Sequence, residues 1–545
     1  MISFLEIGCA SCSHNEPVDD AFIDRLLSAC VRLSVRLWLI RSWDRIMYVE
    51  TSILSDSMSH ADLTVTSAHV VRPGGTIRGG VAVEDGRIVQ IGSDESLPSA
   101  NEEIDAEGNF LLPGFICPHN HMGLSAGYEN DYHTQFELDM ETETRACVKG
   151  GVTSFFTFLL QEDPYMPDID FFIDTGEQQS YIDFGFHAII HRSEHVAEIE
   201  DLVEEVGIRS FKLFYNMYKQ SAPELGIGHS NAGRTYEVFS KVSDIENAVV
   251  MFHAENDDLL QKRIREVRDE EGRDDLVAWA DTSPGIAQSM QIEQIAALCE
   301  ETDATAYVVH NSAKETIPVL KRYQERGVEI YGETLPSFLA NHAKNESIGV
   351  WGKISPPIRY KDDQKALWQG LRNRTLQHVG TDHCPYPIEF KGNRHDSFWE
   401  GPPGDQSLQT FLPLMLHEGV NKNRISMERV VETCATNNAK RFGLYPRKGA
   451  IVEGADADIV IVNLEREVTI NSDWLEWMGN NWCSAYGRTL KGAPTHTIKD
   501  GKVIVENDEV VTDKGIGEYL PRGPSGVVDS KEELNRSASG STSSH

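Results

Sequence analysis

The sequence predicts an α/β protein, a (β/α)8 TIM-like barrel carrying a small β-sandwich domain built from both chain ends. Three observations predict it. Short apolar runs alternate with helical patterns through the centre of the chain, residues 113–447. Stretches rich in strand patterns flank that centre at 61–112 and 449–511. Imidazole, amine and carboxylate side chains recur at the ends of successive central runs. Repeated strand–helix alternation gives a parallel sheet buried on both faces. A span of about 330 residues suits such a barrel with insertions, its usual size being about 250 residues.

The elements follow in order. Residues 1–57 show no strand alternation and mix Cys, Arg and Asp without a period. They are expected to be a disordered extension, with the folded protein starting near Met58; a partner-binding helix at 22–42 is the alternative. The apolar stretch Leu26 to Ile40 carries Arg32 and Arg36, and is too short and too charged to span a bilayer, which takes about 20 residues. It lacks the basic leader and small-residue cleavage pattern of a signal peptide. Residues 58–112 form the N-terminal part of the β-sandwich: Leu63, Val65 and Val70-Val71 alternate with polar residues, and Asp85-Gly86 marks a hairpin. The barrel occupies 113–447. Its runs include Phe155-Phe-Thr-Phe-Leu-Leu, Phe211-Lys-Leu-Phe, Val249-Val-Met-Phe, Ala306-Tyr-Val-Val, Val328-Glu-Ile-Tyr and Leu376-Gln-His-Val. Helical patterns include Ile292–Cys299 and Lys314–Arg326. Residues 448–521 supply the C-terminal part of the sandwich, with a second hairpin at Asp500-Gly501, and a C-terminal excursion. Residues 522–545, rich in Ser, Gly and charge, read as a disordered tail.

Composition narrows the function. Lys+Arg total 50 and Asp+Glu 85 in 545 residues, a net charge of −35. Such a chain repels phosphates, so neither nucleic acid nor an anionic membrane is an expected partner. Nine cysteines are scattered along it, and only Cys9 and Cys12 form a close pair. No second CxxC completes a zinc knuckle, and a reduced, cytoplasmic setting fits this usage.

Five central runs end in metal-ligand residue types. The first reaches His119-Asn120-His121, the second carries Lys212, the third ends in His253, the fourth in His310 and the fifth in Asp382. Groups at the C-terminal ends of barrel strands face one mouth, so these distant residues would converge. An HxH on a strand puts both rings on one face. A lysine inside an apolar strand is costly unless something compensates it. Each piece alone has an ordinary reading as a satisfied core or loop residue. Chance does not place four imidazoles, one amine and one carboxylate at five successive strand ends.

The order HxH, Lys, His, His, Asp resembles the cyclic amidohydrolases: dihydropyrimidinase, hydantoinase, allantoinase and dihydroorotase. The resemblance covers about 61–522. Ser355-Pro-Pro-Ile-Arg, Gly380-Thr-Asp-His-Cys-Pro and Gly517-Glu-Tyr-Leu-Pro-Arg are similar to motifs of dihydropyrimidinase and D-hydantoinase. It implies an enzyme that opens a cyclic amide or imide C–N bond with two divalent metal ions, zinc in most members. It implies that His119, His121 and Asp382 hold the first ion and that His253 and His310 hold the second. Lys212, carboxylated by CO2, would bridge them, and Asp382 would act as general base and then acid. The partner is a small cyclic amide, and relatives are often homotetramers.

Substrate contacts are less closely matched. Tyr218 fits the tyrosine that donates to the developing oxyanion, with Tyr215 competing for that role, and Ser355 fits the serine that contacts the ring. Glu400 falls where relatives carry a ring-gripping asparagine; a carboxylate does not donate as an amide does, which points to a different ring or substituent. Cys117 replaces the usual Asp two residues before the HxH, either weakening support of the histidines or varying neutrally. Met122-Gly123 stands where dihydroorotases carry an arginine, which counts against that activity. His187, His191 and His195 read as satisfied residues between strands, and Cys384 as packing. Trp474, Trp477 and Trp482 read as packing of the excursion or a subunit contact. The enzyme alternative is an allantoinase or another cyclic imide or lactam hydrolase. The non-enzyme alternative is a silent scaffold like the collapsin response mediators, which have lost metal ligands that this chain retains.

Overall fold

Alternation of apolar and polar residues builds the sheet that joins the two chain ends. In the computed structural model, which describes residues 60–126, 130–215, 230–476, 482–524 and 526–527, the first strands are β1 Ala61–Arg72, β2 Gly75–Glu84, β3 Arg87–Gly92, β4 Ala100–Asp105 and β5 Phe110–Pro113. β1, β2 and β3 pair antiparallel, and Asp85 (φ 50°) with Gly86 (φ 73°) makes the turn between β2 and β3. Two successive positive φ angles match the right-handed twist of a two-residue hairpin. β4 and β5 both run parallel to β1, against its first and second halves.

The barrel follows directly. Its strands are β6 Phe115–Asn120, β7 Val152–Leu159, β8 Asp183–Ile189, β9 Ser210–Phe214, β10 Val249–His253, β11 Ala306–Val308, β12 Ile330–Thr334 and β13 His378–Val379. They form one eight-stranded sheet in sequence order, each parallel to the next. A parallel bridge between Asn120 and His383 closes the ring, helped by Asp382 N–H to His119 O at 2.9 Å and His121 N–H to His383 O at 3.0 Å. Helices such as Tyr132–Lys149, Ile169–Gln179, Ala232–Val242, Gly285–Thr302, Thr316–Glu325 and Lys361–Arg372 occupy the connections. Side chains alternate across each strand. Phe211, Leu213, Val250, Phe252 and Val308 face the helices, while Phe156, Phe158, Ile189, Met251 and Tyr307 fill the interior. β8 is a strand the sequence reading passed over, and it puts His187 on a strand inside the barrel, not between strands.

The chain then returns to the first sheet. β14 Ile459–Thr469 pairs antiparallel with β5, and β15 Thr489–Lys499, β16 Lys502–Glu506 and β17 Glu509–Val510 extend it. The result is a nine-stranded sheet drawn from both ends of the described chain. Asp500 (φ 47°) and Gly501 (φ 73°) repeat the turn geometry of Asp85-Gly86. A buried ionic cluster ties this sheet to the barrel. Lys448 contacts Asp183 at the start of β8 (2.5 Å) and Asp458 (2.7 Å), and Lys499 reaches the same Asp183 at 2.8 Å. The segment Gly517 to Arg522 runs beside β8, with Phe184 N–H to Glu518 O and Leu520 N–H to Phe184 O. Trp482 is fully buried and donates to Tyr386 O, whereas Trp477 lies outside the described residues. Residues 1–57, for which an extension is expected, also lie outside them, as do 525 and 528–545 of the expected tail. The start of that tail is ordered, however: Arg522 and Gly523 pair with Val527 and Gly526, and Arg522 is buried against Ser210 Oγ. Among the described residues no helix is long and apolar enough to cross a membrane.

Candidate metal centre

Inward-facing positions at the C-terminal ends of the strands carry the six residues singled out above, and the fold brings them together. His119 lies near the end of β6 and His121 directly follows it, with ring centroids 5.5 Å apart. Both Nε2 atoms lie against one oxygen of Asp382, at 3.0 and 3.1 Å. The rings of His119 and His310 are 5.3 Å apart, and those of His310 and His253 4.5 Å. Single ligand atoms of His119, His310 and Asp382 all fall within 4.8 Å of one another. Lys212 on β9 points its amine into the same space, between the rings of Phe158 (4.9 Å) and Phe214 (5.1 Å). It is fully buried, and its Nζ has no hydrogen-bond partner.

The electrostatics are set by burial and by the carboxylates of Asp382 and Glu333. Burial pushes Lys212 down to about 7, opposed by Asp382 and Glu333. Burial pushes His121 down to about 4 and His310 well below its ordinary value, so both rings are neutral and offer lone pairs. Burial also opposes charge on His119, yet Glu333 and then Asp382 overcome it and raise its pKa. Asp382 resists the upward pull of burial because His119 and His121 hold it well below the usual carboxylate range. His119 Nε2 stands 3.0 Å from Asp382 Oδ1 without hydrogen-bond geometry. Imidazole nitrogens and a carboxylate at such separations are a donor set suited to zinc or a similar divalent ion. Two of the six residues, His310 (φ 40°) and Asp382 (φ 51°), also adopt left-handed backbone, a strain of about 1–3 kcal/mol each that the surrounding fold must hold in place.

The substrate contacts are placed unevenly. Tyr218 lies outside the described residues. Its competitor Tyr215 faces the helices, where its hydroxyl bonds Thr235 Oγ1 at 2.6 Å. Ser355 is half-buried, beside Lys353, whose amine donates to the carbonyls of Glu400 (3.1 Å) and Gly401 (2.6 Å). Glu400 itself is exposed. Cys117 turns away from the interior, its thiol 3.1 Å from Thr381 Oγ1 and pushed up to about 11 by burial. Cys384 is buried among apolar groups. His187 has both ring nitrogens engaged, by Ser210 Oγ and Pro118 O.

Two buried carboxylates escaped the sequence reading. Glu333 on β12 lies 2.8 Å from His119 Nδ1, and Glu255 lies 2.9 Å from His253 Nε2. Glu255 was detectable from its spacing in His253-Ala-Glu255. Glu333 carried a fainter signal, a lone acid in the apolar run Ile330-Tyr-Gly-Glu333, anomalous for the same reason as Lys212.

Comparison with known proteins agrees with this architecture. The profile of the amidohydrolase family matches residues 110–504. The chain is 28% identical to an L-hydantoinase of Paenarthrobacter aurescens over 85% of its own length and 98% of the relative's. It is 30% identical to a D-hydantoinase of Geobacillus stearothermophilus over 83% and 94%. Among solved structures it is similar to an L-hydantoinase (dihydropyrimidinase) from Arthrobacter aurescens, with a TM-score of 0.77 at 26% identity, covering 85% of this chain and all of that one.

Proposed function

The chain belongs to the amidohydrolase family and is a hydrolase of cyclic amide C–N bonds; on that premise we propose that its substrates are five- and six-membered cyclic ureides of the hydantoin and dihydropyrimidine type. The observation that carries this reading is the meeting of His119, His121, Lys212, His253, His310 and Asp382 in one barrel mouth. His119, His121 and Asp382 would hold one divalent ion, and His253 and His310 a second. Lys212, carboxylated by CO2, would lie between them. A carbamate turns its unpartnered amine into an anionic oxygen donor, and the low pKa leaves the neutral amine that CO2 requires. When bound, the ions supply Lewis-acid polarisation of the carbonyl and a water acidic enough to attack at neutral pH.

The protein's own groups do the rest. Asp382 stays anionic and faces the mouth, so it can take a proton from the attacking water and return it to the departing ring nitrogen. Without that proton the nitrogen leaves poorly. Phe158 and Phe214 keep bulk water from the Lys212 amine. Tyr218 and Ser355 are the proposed contacts to the oxyanion and the ring. The product is the open-chain N-carbamoyl acid. The six cysteines among the described residues are all buried and free, which supports a reducing, cytoplasmic setting. A homotetramer is supported by the resemblance to the hydantoinases, and the mass in solution tests it.

The experiment is a ring-opening screen with zinc-loaded protein. It covers dihydrouracil, hydantoin, 5-substituted hydantoins, allantoin and simple imides. Preferential opening of hydantoins or dihydrouracil is expected. Activity confined to allantoin or to imides would replace the substrate class, and no ring opening at all would defeat the proposal.

A further inference from the structure

We propose that Glu333 is a positioning residue of the metal centre, one carboxylate that fixes a ligand of each of the two ions. The inference rests on the reading of His119 and His310 as ligands. Glu333 sits on β12 with its side chain fully buried in the barrel interior. Three donors converge on it. His119 Nδ1 and the backbone N–H of His310 both reach Oε1, at 2.8 and 3.0 Å, and the Tyr307 hydroxyl reaches Oε2 at 2.9 Å.

This arrangement has a definite consequence for His119. Two other donors already converge on this carboxyl and its Oε1 faces Nδ1, so the geometry assigns the hydrogen of this contact to Nδ1. In the neutral ring, the form that ligates a metal, the lone pair is then on Nε2, which stands 3.0 Å from Asp382 Oδ1. Two lone-pair atoms so close repel each other unless a proton or a metal ion lies between them, and His119 Nε2 makes no hydrogen bond there. Glu333 therefore selects the ligating tautomer and turns the ring toward Asp382, as a carboxylate behind a metal-bound imidazole does. Through the His310 N–H the same oxygen braces the left-handed backbone that presents the His310 ring.

The neighbours are shaped around this group. A Cβ on Gly380 would lie 2.5 Å from Glu333 Oε2 and 3.1 Å from His119 Cβ, so the missing side chain makes the room. On β6 itself, Cys117 offers only a high-pKa thiol turned toward Thr381, so no carboxylate behind His119 comes from there.

Chelator competition for zinc on the full chain, supplied with bicarbonate, tests the proposal alongside the melting temperature of the metal-free protein. Glu333→Gln keeps the shape and removes the charge. It is expected to weaken zinc binding about 10–100-fold, with the metal-free melting temperature close to that of the unaltered protein. Glu333→Asp, which retains charge but withdraws it from Nδ1, is expected to weaken zinc similarly and serves if the Gln variant does not fold. Zinc affinity unchanged in either folded variant would overturn the inference, as would a loss of metal-free stability with no change in affinity. An unaltered protein that binds no zinc would instead defeat the reading of the metal centre itself.

Discussion

An ammonium sealed between Phe158 and Phe214, with no hydrogen-bond acceptor, is a structural liability. Lys212 escapes that cost as a neutral amine, and in the proposed centre it would escape it further as a carbamate beside cations. Substitution Lys212→Ala should therefore leave the fold intact while abolishing metal retention and ring opening. Short carboxylic acids added to the variant should restore part of the activity, because they return the missing oxygen donor. Full activity of the unrescued variant, measured by ring-opening rate, would remove Lys212 from the centre. At this scale the proposed ligands were legible in the sequence because each stands out in an apolar run. Glu333 was harder to read because its partners His119 and Tyr307 come from other strands, and no spacing announces them.

Among the elements, β8 shows what the sequence concealed. Its inward positions are Gly185, His187 and Ile189, so the run Phe184-Gly-Phe-His lacks the continuous apolar character of its neighbours. Its partner strands, not its own pattern, define it as a strand. β8 also starts at Asp183, where the barrel meets the sheet made from both chain ends. Burial would raise the Asp183 carboxyl, but Lys448 and then Lys499 overcome it and hold it at about 2. That lies below its ordinary value of 3.8, so its stabilisation is complete above about pH 4 and is lost as pH falls toward 2. Asp458, pushed up to about 6 by burial, pulls the other way near neutral pH. Asp183→Asn leaves two buried ammonium groups short of a partner, and should lower the unfolding free energy by about 3–5 kcal/mol at pH 7. Denaturant melts would show it, together with a flatter acid limb below pH 4. An unchanged midpoint would mean that Asp456, Asp458 and Asp500 suffice without it.

On the scale of the whole molecule, strand–helix alternation and the two hairpin turns in the flanks carry the architecture. Asp85-Gly86 and Asp500-Gly501 are local signals that the fold uses as read. Which strand joins the flanks was not legible, because β5 pairs with β14 across more than three hundred residues and such pairing depends on closure of the barrel between them. That closure also lets one mouth collect the six proposed ligands from five strands, so metal binding as proposed would be a property of the folded chain. Removing metal with a chelator should lower the melting temperature, and restoring zinc should raise it again, since an ion that binds only the folded state stabilises it by mass action. A melting curve indifferent to chelation would show that the ions contribute nothing to the folded state.

The most direct test is elemental analysis of the pure full-length protein prepared with zinc and bicarbonate. Occupancy near two divalent ions per chain, falling sharply in Lys212→Ala, is the predicted result. Protein that retains no transition metal under those conditions would contradict the account at its centre.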